Sequence, residues 1–439
     1  MNEFKGVLKY KDDIIKEIQN LIKIPSVLGK QEENAPFGKK PKEALEYILN
    51  LGHRLGFETR NFDNFIGDIS FNPSTKESET LGILGHVDVV EAGNDWDYPP
   101  FSGIIADNYL YGRGVLDDKG PIVICLYALK YLSEIEKKFS RNVKLIIGAN
   151  EETGCKCIEH YFKTLKLPQP EIAFSPDGEF PVINIEKGML KGFFKIPLPE
   201  NYLEIKGSAK GNLVPDYIEC TINEDEPITY ISKGKSAHAA HADKGINAFL
   251  SLMILLKDKK FKNSNFNKLI SFFNKYIKME YDGKSLGINY KDIESGELTL
   301  NYSNIFVENN TLVISIDCRF PISTDIEKVQ EILKERALEY DIIYSTRKIT
   351  KPHYIPETEF LVQELLKTYN SELRLKNSFA KYTGGSTYSR SIKKCVAFGP
   401  IMPEMENTIH KKNERISIND LEKLILIYTR AIYNLIKGE

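Results

Sequence analysis

Residues 81–88 read Leu81-Gly82-Ile83-Leu84-Gly85-His86-Val87-Asp88, an apolar run that ends on glycine, histidine and acid. An unbroken apolar run of this kind marks a strand buried on both faces, as in a parallel sheet covered by helices. The pattern recurs. Residues 143–147 run into Asn150-Glu151-Glu152-Thr153-Gly154, and residues 172–174 run into Ser175-Pro176-Asp177-Gly178. Helical patterns lie between these runs: Ile14, Ile15, Ile18, Leu21 and Ile22 share one face, as do Leu45, Ile48, Leu51 and Leu55. Strands alternating with helices predict an α/β fold with a mostly parallel sheet.

Outward from these strands the texture changes after about residue 186. Residues 311–320 alternate, with apolar residues at 312, 314 and 316, and follow the turn pair Asn309-Asn310. A helix is expected from Ser323-Thr324-Asp325, which offer N-cap chemistry, and another over 245–257. This is an α+β module inserted into the first domain. The α/β style returns with a helix at 357–370, a strand at 395–398 and a closing helix from Asp420. The expected division is therefore 1–186 with 352–439, and an inserted domain at 187–351.

The bulk composition narrows the function. A chain of 439 residues suits two domains. The formal net charge of -2 comes from 59 basic and 61 acidic residues without long blocks of one sign, so nucleic acid and anionic membranes are not expected partners. The lysine-rich stretch 257–268 reads as solvated surface. No apolar run reaches the ~18 residues of a membrane span, and 122–129 reads as a buried helix. The first residues lack the layout of a secretory signal. Six scattered cysteines suit a reducing cytoplasm, and Cys155 and Cys157, spaced C-x-C, read as incidental thiols.

Ligands of open α/β sheets bind beyond the carboxyl ends of the strands. Three candidate strands end in metal-ligand residue types, and Asp117-Asp118-Lys119-Gly120-Pro121 stands where the helix at 122–132 must begin. His410 lies in a loop after the strand at 395–398. A lone histidine at a strand end is ordinarily structural, and acids at helix starts are ordinarily caps. Four such clusters together are a different matter. Two imidazoles and three carboxylates suit a pair of divalent ions with one bridging carboxylate.

The strings GHVDVV, YGRGVLDDKGP, NEETG and SPDGEFP, with the late ENTIHKKNERI, resemble the metallopeptidase family of carboxypeptidase G, aminoacylase and the carnosinase-type dipeptidases. AGNDWDYPPFSGIIADNYLYGRGVLDDKGP and SPDGEFPVINIEKG are most similar to the bacterial PepV-type dipeptidases. The resemblance covers nearly the whole chain in motif order. It implies a di-metal peptidase domain with an inserted lid, and two divalent ions per chain, zinc or alternatively manganese. His86 and Asp177 would be the terminal ligands of one ion, Glu152 and His410 those of the other, and Asp117 the bridge. Asp88 would orient His86. Glu151 would be the general base for a metal-bridged water. A cis peptide bond is implied at Asp117-Asp118. His238, in Gly234-Lys235-Ser236-Ala237-His238-Ala239, would stabilise the tetrahedral oxyanion. Asn212, Arg319, Gly384, Gly385, Thr387 and Arg390 resemble binders of the substrate's terminus. His241 has no such support, and His53, His160 and His353 match nothing and are expected to be structural.

The implied activity is hydrolysis of dipeptides such as Xaa-His by a cytoplasmic monomer or homodimer. Alternatives on the same site are an N-acyl amino acid deacylase and a carboxypeptidase. A catalytically silent metal-binding relic is the alternative from another class.

Overall fold

A computed structural model describes residues 4–71, 79–136, 138–209 and 212–437. The chain divides into two units: Met1–Asn184, Ile355–Lys381 and Ser386–Glu439 form one, and Ile185–Tyr354 with Tyr382–Gly385 the other. The second unit thus takes back four residues from the later part of the chain. Each unit has its own apolar core.

In the first unit four strands run parallel in the order Asn142–Gly148, Thr80–His86, Ile172–Ser175, Cys395–Ala397. The antiparallel strands Ile66–Phe71 and Glu58–Phe62 extend the sheet beyond Asn142–Gly148. On the opposite side Ile183 pairs antiparallel with Ala397. The α/β reading with a mostly parallel centre is therefore the observed one. The runs read at 81–84, 143–147 and 172–174 each extend by a residue or two, and the first continues to His86, paired with Gly148. The helix Lys119–Ile135 packs on the closing helix Ile418–Lys437 and on Lys11–Ile22.

In the second unit an antiparallel sheet has the order Thr299–Glu308, Thr311–Phe320, Gly188–Pro197, Ile343–Thr350. Thr311–Phe320 has the expected bounds. The helix expected over 245–257 is shorter, Ala248–Leu255, because the Asn247 side chain accepts from the backbone N–H groups of Phe249 and Leu250 and fixes the start there. Asp325 caps Ile326–Leu338 by accepting from Lys328 N. The helix expected over 357–370 lies at Phe360–Leu373. The six cysteines are free thiols. Among the described residues, no helix is long and apolar enough to cross a membrane.

Candidate metal centre

The buried Thr80–His86 strand ends on the His86 imidazole. Its Nδ1 hydrogen-bonds the main-chain oxygen of Asp88 at 3.0 Å, which leaves Nε2 as the nitrogen that could coordinate a metal. That atom lies 2.9 Å from Asp117 Oδ1 and 3.8 Å from Asp177 Oδ2. The approach to Asp117 is close but not aligned: among the described residues Nε2 has no hydrogen-bond partner, although it is buried.

Asp117 turns its second oxygen to the other histidine, with Oδ2 2.9 Å from His410 Nε2. Glu152 Oε1 stands 3.0 Å from the same nitrogen. Two groups result, His86 with Asp117 and Asp177, and Asp117 with Glu152 and His410; within each, the donor atoms lie within 4.8 Å of one another. Asp117 belongs to both groups and offers one oxygen to each imidazole.

The Asp117-Asp118 peptide bond is cis. Asp118 serves a neighbouring strand end, where its Oδ2 accepts from His86 N at 3.3 Å. This explains the glycine before His86: a Cβ on Gly85 would meet Asp118 Oδ2 at 2.4 Å and Ile122 Cγ2 at 2.2 Å. Asp88 differs in detail from what the resemblance implies. Its main-chain oxygen, not its carboxylate, makes the shorter contact with His86, the carboxylate standing 3.5 Å from Nδ1. The carboxylate accepts from Glu151 N at 2.9 Å and Glu152 N at 3.1 Å, and so clamps the loop that carries both glutamates. The Glu151 carboxylate belongs to neither donor group and makes no hydrogen bond among the described residues.

The electrostatics suit cations. Burial and the neighbouring carboxylates raise Glu151 and Glu152, and push Asp177 up to about 8. Burial would raise Asp117 as well, but His410 and His86 hold it well below the usual carboxylate range. Burial would lower the two imidazoles, yet Asp117 with Asp88 holds His86 far up, and Asp117 with Glu152 takes His410 to about 11. The acids outnumber the bases, and each is costly to bury charged without a counter-charge. Oxygen and imidazole donors around an unsatisfied buried nitrogen fit divalent ions of the zinc or manganese type.

Other residues of the same motifs build the frame. Glu414, fully buried, pairs with Arg113 at 2.7 Å and accepts from Gly114 N at 3.1 Å and Leu116 N at 2.9 Å. It ties the segment of His410 to the segment of Asp117. Lys119 donates to the main-chain oxygens of Leu21 and Ile24 at 3.0 and 2.7 Å, and burial lowers it to about 7. The Tyr388 ring stands edge-on to His86, centroids 6.2 Å apart, and its hydroxyl lies 2.7 Å from Cys157 Sγ. Glu414 and Arg113 stood inside the quoted strings, but nothing in the strings marks them as partners.

Thr387 caps the short turn Tyr388–Ser391 in the first unit, where Arg390 also lies. In the second unit, His238 Nδ1 accepts from Ala240 N at 3.2 Å. Asn212 Nδ2 lies 2.7 Å from His238 Nε2; a neutral imidazole that accepts at Nδ1 donates at Nε2, so the amide has to turn its oxygen there to pair with it. Arg319 is buried, bound to both oxygens of Asp317 and to the Gly384 carbonyl at 2.7 Å. Gly384 must be glycine, since a Cβ would stand 2.6 Å from the Ala240 Cβ. The Gly385 N–H donates to Thr383 Oγ1 at 2.9 Å. His160 stacks on Phe65 and bonds Asp63, as a structural histidine does.

Known proteins bear on this geometry. The family Peptidase M20/M25/M40 matches residues 82–434. A protein of Bacillus subtilis (strain 168) named "Putative dipeptidase YtjP" is 33% identical over 100% of both chains. A Staphylococcus aureus (strain USA300) relative with the same kind of name is 32% identical over 98% of each. Among solved structures the chain is similar to human carnosine dipeptidase 1, with TM-score 0.61 and 12% identity over 98% of each chain. It is also similar to the dipeptidase Dug1p from Saccharomyces cerevisiae, with TM-score 0.63 and 14% identity over 98% of each chain. At these identities the structural likeness concerns the fold alone.

Proposed function

The chain belongs to peptidase family M20/M25/M40, hydrolases of peptide bonds that depend on metal, and from that premise we propose that it is a dipeptidase working through two ions that share Asp117. The observation that carries the reading is the Asp117 carboxylate, with one oxygen 2.9 Å from each imidazole and a further acid beside each. His86 and Asp177 would hold one ion, Glu152 and His410 the other. Zinc, or alternatively manganese, held there would supply Lewis acidity to the scissile carbonyl and to water.

The rest is done by the chain. Glu151, raised by burial and with a carboxylate that makes no hydrogen bond among the described residues, takes a proton from the attacking water and delivers it to the leaving nitrogen. Asp88 holds Glu151 and Glu152 in register through their backbone N–H groups. His238 donates from Nε2 to the tetrahedral oxyanion. Asn212, Arg319, Gly384, Gly385, Thr387 and Arg390 recognise the substrate's terminus. In this reading Arg319 keeps its bonds to Asp317 and uses its remaining N–H groups.

The test is a panel. Enzyme reloaded with zinc or manganese should turn over Xaa-His and other dipeptides faster than tripeptides and N-acetyl amino acids. Faster release of acetate from N-acetyl amino acids would replace the dipeptidase by a deacylase.

A further inference from the structure

The antiparallel sheet of the second unit carries a cluster of charge apart from the metal ligands. Lys191 stands opposite Asp317 on one neighbouring strand and opposite Lys348 on the other. The pairing shifts between Lys191 and Gly192, whose partners are Lys348 and Thr346, so that Arg347 is the extra residue at that point. Like charges directly opposite each other weaken a sheet. The carboxylate opposite Lys191 is taken, because Asp317 holds Arg319 through both oxygens at 2.6 and 3.0 Å.

Among the described residues, the side chains of Lys191 and Arg347 make no hydrogen bond or ion pair. Burial lowers Lys191, and Arg319, Lys348 and Arg347 act in the same direction while Asp317 opposes them. Three neighbouring cations thus act on the Lys191 ammonium, and the carboxylate that opposes them is already bound to Arg319. A cavity of about 130 Å³ opens at this point, lined by Lys191, Arg347, Ser303, Asn304, Ser315 and Asp317. A half-buried ammonium without a partner is a cost, and it is relieved by an anion.

We propose that this cavity binds a tetrahedral oxyanion, the phosphate group of a small ligand or inorganic phosphate. Arg347 supplies a planar fork and Lys191 a point charge, the two cation types that recognise phosphate oxygens. Ser303, Ser315 and Asn304 add hydroxyl and amide groups at the wall.

The test is calorimetric titration of the metal-loaded enzyme with inorganic phosphate and with O-phosphoserine at constant ionic strength. Lys191→Met and Arg347→Gln are the comparison proteins. Parent enzyme should bind at least one of the two probes, and each substitution should weaken that binding about tenfold or more, the loss of one charge-assisted contact. Tighter phosphate would assign the free ion, and tighter O-phosphoserine a phosphate monoester. Lys191→Met should melt no lower than the parent in the absence of the anion, because it removes an unpaired charge opposite Lys348. Binding that is equal in parent and variants would place the anion elsewhere, at the metal pair for example, and would overturn the proposal. Absence of binding in the parent would do so too.

Discussion

Around His86 and His410 the first unit gathers more acids than bases, while around Lys191 the second unit gathers more cations than acids. Both clusters lie on sheet strands or at their ends, and both break the rule that buried charge is paired. The difference is in how far each is built. At the metal centre the carboxylates around the donor groups are held by the frame: Asp88 by two backbone N–H groups, Asp118 by one, Glu414 by two and an arginine. At Lys191 the sheet supplies the charges and leaves them at the edge of a cavity. An excess of charge marks a site, and the degree of second-layer support separates one that must position reacting atoms from one that need only bind.

The largest expected effect separates holding a metal from using it. Glu151→Ala should keep both ions and lose at least ~10²–10⁴-fold in kcat, the usual worth of a positioned base. Metal analysis of the variant checks this, and an emptied site would exchange the roles of Glu151 and Glu152.

A smaller effect asks whether the second unit takes part in chemistry as well as binding. His238→Ala should lower kcat on a good dipeptide by ~10²–10³-fold with metal content unchanged, as for the loss of one oxyanion donor. Steady-state kinetics decides, and an unchanged kcat would leave His238 as the cap of its own turn.

The support itself can be weakened. Glu414→Gln should cut metal affinity by ~10–100-fold, the typical cost of losing an outer partner. It should also lower thermal stability, because Arg113 is left as a buried charge, a loss of about 3–5 kcal/mol. Competition with a chelator well below the melting temperature reads the first effect apart from the second. Unchanged affinity would make Glu414 purely structural.

Much of this organisation was legible in the sequence. Residues 81–88 announce their strand because a parallel strand is apolar on both faces, and the acids and histidines stand where such sheets bind ligands. Other features were not legible. Gly188–Pro197, the strand at the centre of the second unit's sheet order, alternates in burial, but Phe193 next to Phe194 and Gly192 on the buried face hide the period. That Tyr382–Gly385 joins the second unit is beyond reading from four residues. Adjacent acids such as Asp117 and Asp118 cannot be told apart by type, since only the backbone decides which one turns to the imidazoles. Glu414 and Arg113 are 301 residues apart, and no local pattern relates them.

The central claim is that one carboxylate serves two ions. Metal content and activity of Asp117→Asn, reloaded with zinc and compared with the parent, test it directly. The parent should hold two ions per chain and the variant at most one at matched free zinc, with dipeptide turnover lost. A variant that keeps two ions with unchanged affinity would contradict a bridging Asp117.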